Sequence, residues 1–197
     1  MLILAADTSL PILSVAIVRD GQLLGATAVE GRSSRNEKLL PAIDWLLSEA
    51  GIDRRSIDLF AVTRGPGSFT GVRIGLATMQ GMALALDKPV CAMSTHEAIA
   101  PARGRRVIID DAGRGEFYVS IFEDGTQVIA PRLARNLDEL EGERLVVSEA
   151  LQNSNVALSC ARRAASIAAA GRLAEYSDIT PIYVRLAEAE EKLRRAT

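Results

Sequence analysis

The sequence predicts an α/β protein that consists of two successive units, each built on a mixed β-sheet. Three observations predict this class. Short apolar runs rich in β-branched residues are interleaved with segments of helical spacing, so strands and helices alternate along the chain. Three strand-like runs precede the first helix, which indicates antiparallel hairpins in a sheet whose later strands are joined by helices. The run of strands then starts again near residue 106.

The N-terminal segment predicts three strands joined by short turns. The first apolar run ends at Asp7-Thr8-Ser9, and Asp20-Gly21 is a strong signal for a two-residue hairpin loop between the second and third runs. The predicted strands span residues 2–6, 12–18 and 23–29.

A first helix follows, because Leu39, Ile43 and Leu46 recur at helical spacing and Gly51 provides a stop. Pro41 lies inside this pattern. Either the helix starts late, with Pro41 in its first turn, or the helix is kinked there. Trp45 lies off the apolar stripe, and both a core position and an exposed, partner-facing position are open to it.

The segment RGPGSFTGVRIG, residues 64–75, is predicted to join a buried strand at residues 58–63 to a second helix. Ser68 or Thr70 is placed to cap that helix, and the free amides of its first turn would suit an anion. The glycine spacing fits neither a Walker loop nor a dinucleotide fingerprint. The candidate anion or nucleotide turn comprises Asp7, Thr8, Ser9, Arg64, Gly65, Gly67, Ser68, Thr70 and Arg73.

The second helix is apolar nearly all round, since Thr78 and Gln80 are the only polar residues other than glycine from Ile74 to Leu86. Such a helix is expected to be buried on every side, either within its own domain or against a partner. Gly71 and Gly75, one turn apart, would let another backbone approach closely. The candidate partner interface comprises Leu39, Ile43, Leu46, Gly71, Gly75, Ala77, Thr78, Gly81 and Met82.

A fifth strand at residues 90–93 completes the first unit, and the second unit repeats the strand–hairpin–strand pattern around Asp124-Gly125. The order β-β-β-α-β-α-β is that of the ribonuclease-H-like unit, which actin-like ATPases use twice. We therefore predict two ribonuclease-H-like subdomains with mixed sheets, residues 1–96 and 97–197, the second smaller and degenerate. An Ala-rich helix at 156–170 and a charged tail helix at 186–195 follow, and a C-terminal helix is a candidate to pack back on the first subdomain.

Composition limits the classes of function. A net charge of −2 and a pI near 5.6 argue against stand-alone binding of tRNA, DNA or an anionic membrane. Cys91 and Cys160 show no Cys-x-x-Cys spacing and are predicted to be buried thiols in a reducing compartment. With neither a signal-peptide pattern nor a long apolar span in the sequence, we expect a cytoplasmic protein.

Five segments resemble the bacterial TsaB family: residues 3–9 (ILAADTS), 39–41 (LLP), 64–75 (RGPGSFTGVRIG), 111–116 (DAGRGE) and 181–185 (PIYVR). The resemblance implies an actin-like fold and a non-catalytic subunit in the synthesis of threonylcarbamoyladenosine next to the tRNA anticodon. It implies pairing with the catalytic TsaD-type protein and a TsaE-type ATPase, with tRNA bound only within the complex. It also implies that the two helices of the first subdomain pack against an equivalent pair, in a homodimer or with TsaD. Arg35 departs from the family pattern, which usually has histidine there.

The residues needed for independent catalysis are missing from their expected places. A TsaD-like metal site requires two histidines after the fifth strand, where this chain has Thr95 and Ile99, and the single histidine is His96. We therefore predict no metal, no cofactor and no catalytic residue, and a degenerate nucleotide site in which Asp7, Asp110 and Asp111 are the acidic residues to test. Two alternatives remain: an active actin-like ATPase or kinase, and a hydrolase that pairs Ser68 with His96 or binds metal like a metallopeptidase.

Overall fold

The structure, a computed structural model, describes residues 1–30, 35–137, 140, 145–147 and 155–185. Its elements are β1 (Leu2–Asp7), β2 (Ile12–Arg19), β3 (Gln22–Glu30), α1 (Arg35–Glu49), β4 (Leu59–Thr63), α2 (Phe69–Ala85), β5 (Val90–Met93), α3 (Thr95–Ile99), β6 (Arg105–Gly113), β7 (Glu116–Glu123), β8 (Thr126–Ala134), β9 (Leu145–Val147) and α4 (Val156–Ala169). Short 3-10 turns lie at Arg54–Ser56 and Tyr176–Asp178. The predicted tail helix at 186–195 lies outside the described residues.

The first sheet has the strand order β3-β2-β1-β4-β5. Strands β1, β2 and β3 pair antiparallel through hairpins, and β4 and β5 run parallel to β1. The turn between β2 and β3 has positive φ at both Asp20 (49°) and Gly21 (81°), as a type I′ hairpin requires. This is the strand order of the predicted ribonuclease-H-like unit, so the predicted fold class is confirmed.

The second sheet repeats the first four positions of that order. Its described strands are ordered β8-β7-β6-β9, with β6, β7 and β8 antiparallel and β9 parallel to β6. Among the described residues it has one strand fewer than the first sheet, which fits a smaller, degenerate copy. Strand β9 was not predicted from the sequence, because three residues are too few for an alternating pattern to be recognised.

Helices cover both faces of the first sheet. Helices α1 and α2 pack on one face around Leu4, Ile43 and Phe60. Helix α4 packs on the other face against β1, β2, β4 and β5, in a cluster that also takes in Ile108 and Phe122 of the second sheet. A helix from the C-terminal half therefore completes the N-terminal sheet. The division of the chain at residue 96 remains a prediction.

Helix α1 begins at Arg35, so Pro41 lies in its interior and the alternative of a late start is wrong. Pro41 is exposed, and the carbonyl that its missing N–H leaves without a helical partner belongs to Glu37, also exposed. Because water can solvate that carbonyl, the proline is tolerated. Trp45 is 54% exposed, which excludes the core position.

Within the chain, helix α2 is buried on one face only. The predicted burial on every side would therefore require a partner. Its opposite face exposes Ala77, Gly81 and Leu84, and Leu84 is 74% exposed. The buried face consists of Gly71, Val72, Gly75, Leu76, Met79 and Ala83.

Two predictions about the whole chain can be compared with the described residues. Cys91 and Cys160 are both free and buried, as predicted, and burial raises the pKa of Cys91 to about 12. None of the described helices is both long and apolar enough to cross a membrane.

Candidate functional site

The end of β1 forms a buried polar cluster around Asp7. Its Oδ1 accepts hydrogen bonds from the backbone N–H of Ser9 (3.3 Å), from Ser9 Oγ (2.6 Å) and from Thr63 Oγ1. Its Oδ2 is buried and has no partner among the described residues. Burial raises the pKa of Asp7, while the hydrogen bonds from Ser9 and Thr63 oppose that rise. The carboxyl group is thus held inside the protein and does not face solvent.

Thr8 and Ser9 connect this cluster to two helices. Thr8 Oγ1 donates to the carbonyl of Gly71 in α2 (2.6 Å), and Ser9 Oγ lies 2.8 Å from Thr95 Oγ1 in α3. All three residues of the predicted Asp7-Thr8-Ser9 turn are therefore buried and engaged within the chain.

Gly71 and Gly75 permit close contact between α2 and the end of β1. A Cβ atom on Gly71 would lie 2.0 Å from the carbonyl oxygen of Thr8, and one on Gly75 would lie 2.3 Å from Thr8 Oγ1. The two glycines do permit another backbone to approach closely, as predicted. That backbone belongs to this chain, at Thr8 directly after β1. Gly71 and Gly75 are interior residues and do not lie on a surface that a partner could reach.

Backbone groups of Ser9 and Thr95 contact the Gly-rich turn. The backbone N–H of Ser68 donates to the carbonyl of Ser9 (2.7 Å), and a Cβ on Gly67 would lie 2.4 Å from the same oxygen. The carbonyl of Gly65 accepts from the N–H of Thr95 (2.8 Å). Ser9 thus occupies the place beside the turn that an anion would need in order to reach the amide of Ser68.

Ser68 is the residue that caps α2, since its Oγ accepts from the N–H of Gly71 at 3.2 Å. Thr70 lies one residue inside the helix and is exposed. Of the two caps that the sequence left open, the structure selects Ser68.

Arg64 and Arg73, which flank the turn, both contact the C-terminal segment of the chain. Arg64 Nη1 donates to the carbonyl of Thr180 (3.2 Å), and Arg73 Nε donates to the hydroxyl of Tyr183 (2.6 Å). The guanidinium of Arg73 also lies over the ring of Phe69, 4.0 Å from its centroid. Sequence reasoning missed these contacts, although the PIYVR segment that carries Tyr183 was one of the family signals.

Asp110 in β6 occupies the position that corresponds to Asp7 in β1, one sheet later. It is buried, and burial raises its pKa to about 6, with further contributions from the charges of Asp111 and Asp7. The two sheets thus bring an acidic side chain each to the same region. In the part of the chain that the structure describes, no three His, Cys, Asp or Glu side chains form a group that could hold a metal ion.

His96 is buried at the start of α3, and its Nδ1 lies 2.6 Å from Ser120 Oγ in β7. Burial lowers the pKa of His96 to about 3, so the ring is neutral at ordinary pH. The hydrolase alternative pairs this histidine with Ser68, but its hydrogen-bond partner here is Ser120. No pattern in the sequence pointed to Ser120.

The predicted partner-interface residues divide into two groups. Leu39, Ile43 and Leu46 of α1 are buried in the chain's own core, because the apolar stripe of α1 faces the first sheet. With Gly71 and Gly75 they are corrected from surface to interior positions. The remaining four lie at the surface of α2, with Ala77 and Gly81 exposed and Thr78 and Met82 half-buried. Two exposed large apolar residues of these helices, Leu40 and Leu84, were not predicted, and Trp45, for which the sequence left two positions open, is exposed.

Comparison with known proteins identifies the family. A family model described as "TsaD: tRNA N6-adenosine threonylcarbamoyltransferase" matches residues 32–176. The "tRNA threonylcarbamoyladenosine biosynthesis protein TsaB" of Escherichia coli is 31% identical over 169 residues, which cover 77% of this chain and 73% of that protein. The chain belongs to the TsaB family. It also falls in the wider family that the TsaD model defines.

Two further relatives support the assignment of this chain to the TsaB family. The protein of the same name from Haemophilus influenzae is 33% identical over 153 residues, or 75% of this chain, which spans 62% of that protein. The solved structure of "YeaZ from Pseudomonas aeruginosa" superposes with a TM-score of 0.75 at 25% identity, covering 92% of this chain and 99% of YeaZ. Helix α1 of the TsaB-family chain starts at Arg35, where the resemblance expects histidine; the side chain of Arg35 lies outside what the structure describes.

Proposed function

We propose that this TsaB-family chain is a non-catalytic subunit required for the synthesis of threonylcarbamoyladenosine in tRNA, and that it pairs with a TsaD-type catalytic protein and a TsaE-type ATPase. The names of its relatives and the match to the TsaD model support this role. The observation that carries the pairing is the exposed face of α2 beyond Arg73, a face that carries no charge. We call Ala77, Gly81 and Leu84 the α2 stripe.

The α2 stripe has the properties of a helix-packing surface. No charged residue occurs from residue 74 to residue 86, although one face of this segment is exposed. Ala77 and Gly81 are small, so a facing helix can approach closely, and a Cβ on Gly81 would meet nothing within 4 Å. Leu84 is 74% exposed, and full burial of a leucine side chain is worth about 1.5–3 kcal/mol.

The same stripe suits a second copy of the chain, so we propose that the isolated protein forms a homodimer through α2. A surface that pairs with itself is self-complementary, and helix faces of small residues can meet this requirement. The homodimer and the pairing with TsaD would then exclude each other.

The absence of independent catalysis is part of the proposal, and three features of the site support it. The amide of Ser68 is bonded to the carbonyl of Ser9, Asp7 is completely buried, and the ring of His96 is bonded to Ser120. We therefore expect no ATP hydrolysis by the chain alone. A net charge of −2 favours tRNA binding through the assembled complex and not by this chain alone, and we place the protein in the cytoplasm.

The test is reconstitution with tRNA, ATP, threonine, bicarbonate, the adenylate-forming enzyme and the TsaD-type and TsaE-type proteins. Modified adenosine is measured by mass spectrometry, with and without this chain. Gly81→Arg should abolish complex formation on gel filtration and product formation, while leaving the monomer folded. Ala169→Arg, at an exposed position near the end of α4, is the matched control and should change neither.

Two outcomes would contradict the proposal. If product forms equally well without the chain, the subunit is not required. If the chain alone hydrolyses ATP, and Asp7→Asn abolishes that hydrolysis, the ATPase alternative is correct.

A further inference from the structure

A short C-terminal segment, residues 179–185, joins the Gly-rich turn of the first sheet to a hairpin of the second. We call this segment the clasp. Its first anchor is the backbone of Arg64, whose carbonyl accepts from the N–H of Ile182 (2.7 Å). The side chain of Arg64 also contacts the clasp, since its Nη1 donates to the carbonyl of Thr180 (3.2 Å). The backbone of the clasp is thus fixed directly to the start of the turn.

The second anchor is aromatic. The ring of Tyr183 stacks on Phe69 at the start of α2, with centroids 4.8 Å apart and planes inclined by 29°. The hydroxyl of Tyr183 accepts from Arg73 Nε (2.6 Å), and the guanidinium of Arg73 lies over both rings. This contact fixes the clasp to the first turn of α2.

The third anchor is on the second sheet. Arg185 donates to the carbonyls of Ala112 (2.8 Å) and Gly113 (3.3 Å), at the end of β6, and to the carboxylate of Glu116. The side chains of Arg185 and Glu116 are only 16% and 17% exposed, so water competes weakly for these bonds. Glu116 also pairs at 2.8 Å with Arg135, which lies directly after β8 and whose side chain is 87% exposed.

The anchors on the two sheets lie only two residues apart along the clasp. Tyr183 is held on the first sheet's turn and Arg185 on the β6–β7 hairpin, and two residues of extended chain span only about 7 Å. The hairpin therefore cannot move away from the turn unless one of the anchors breaks. Asp7 and Asp110, at the ends of β1 and β6, are both buried, and the charge of Asp7 adds to the effect of burial on the pKa of Asp110, so the two strand ends lie near each other.

We propose that the clasp is a conformational lock. It holds the second sheet against the Gly-rich turn and keeps the region between the ends of β1 and β6 closed. Within the clasp, the group that controls opening is Arg185, because it carries the clasp's link to the second sheet, while the α4 cluster holds the two sheets together on the other face. Loss of that link frees the hairpin and admits water to the Asp7 cluster, while the first sheet stays folded.

Hydrogen–deuterium exchange on the full chain, read by mass spectrometry, tests this proposal. Arg185→Ala should accelerate exchange at least tenfold in peptides that contain residues 7–10 and 64–68, where the amide of Ser68 is bonded to Ser9. Peptides from β2 and β3 should keep wild-type protection. Arg135→Ala is the matched control, since it removes the other cation from Glu116 without touching the clasp, and it should leave both regions unchanged.

Two further measurements keep the outcome clear. Tyr183→Phe keeps the stacked ring and removes the acceptor for Arg73, so it should accelerate exchange in the same peptides by less than Arg185→Ala does. Arg185→Lys keeps the charge but cannot contact the two carbonyls and Glu116 at once, so it should produce a smaller acceleration in the same peptides, which provides a test if Arg185→Ala fails to fold. Unchanged exchange in Arg185→Ala, or a uniform acceleration that includes β2 and β3, would overturn the proposal.

Discussion

Alanine substitution at three glycines of α2 tests the contact between this helix and the end of β1. Gly71, Gly75 and Gly81 all have helical backbone, so on propensity alone each substitution should stabilise the helix by about 1 kcal/mol. The surroundings differ sharply. A new Cβ at Gly81 meets nothing within 4 Å, whereas at Gly71 it lies 2.0 Å from the carbonyl oxygen of Thr8.

The magnitude follows from that distance. Ordinary van der Waals contact begins near 3.4 Å, so Gly71→Ala requires α2 and β1 to separate by more than an ångström. The obstructing atom is a backbone oxygen of buried Thr8, directly after β1, and it cannot move aside as a flexible side chain can. Overpacking costs about 1–3 kcal/mol, and a weakened Thr8–Gly71 hydrogen bond costs about 1–3 kcal/mol more. After the gain in propensity of about 1 kcal/mol, we expect a net loss of about 1–5 kcal/mol.

Urea unfolding followed by far-UV circular dichroism measures this difference. The midpoint should fall for Gly71→Ala and rise for Gly81→Ala, which should gain about 0.5–1 kcal/mol, with the slope m unchanged in both. Gly75→Ala, whose Cβ would lie 2.3 Å from Thr8 Oγ1, should also lower the midpoint, but by less because a side chain can rotate. Equal midpoints for Gly71→Ala and Gly81→Ala would refute the close contact and the reasoning built on it.

Three further predictions concern buried or capping side chains. The pKa of Asp110 is raised from 3.8 to about 6, so the free energy of unfolding should fall by roughly 3 kcal/mol as pH rises from 4 to 6 and the buried carboxyl must ionise. In Asp110→Asn the urea midpoint should depend less on pH across that range, and an unchanged pH dependence would contradict this. The pKa of His96 is lowered to about 3, so the single imidazole signal should show no titration by NMR between pH 7 and pH 5; a midpoint near 6.5 would disprove its burial as a neutral ring. Ser68→Ala should lose about 1 kcal/mol of unfolding free energy because the cap of α2 is lost, whereas Thr70→Ala should change it little; equal losses in thermal unfolding would argue against Ser68 as the cap.

The strands and hairpins could be predicted from sequence because their signals are local. Asp20-Gly21 and Asp124-Gly125 each fix a turn with positive φ between two apolar runs, and both hairpins occur as expected. The restart of this pattern was enough to predict the second sheet. Helix α3 and strand β9 were missed because five and three residues are too short to show a period.

The contacts of the site could not be predicted, because they join residues that are far apart in the chain. Arg73 and Tyr183 are separated by 110 positions, and His96 and Ser120 by 24. A sequence pattern shows that Arg64 and Arg73 flank a turn. It does not show which distant segment of the chain packs beside them, and that segment supplies the partner of a long cationic side chain. The same limit applies to the apolar stripe of α1, whose spacing predicts a buried face but not whether the sheet or a partner covers it.

Helix α2 shows how one long-range contact would have resolved its ambiguity. Its glycines carry the same sequence signal on both faces, because a close approach requires a small residue whether the neighbour is internal or external. Successive residues of an α-helix are about 100° apart, so Gly71 and Gly75 differ by about 40°, whereas Gly81 lies about 120° from Gly75. Gly81 lies about 80° from Gly71 and about 120° from Gly75, so once Thr8 is known to contact those two glycines, Gly81 must lie well to the side of that contact. The exposed α2 stripe is therefore a geometric consequence of the buried contact, and composition alone could not separate the two faces.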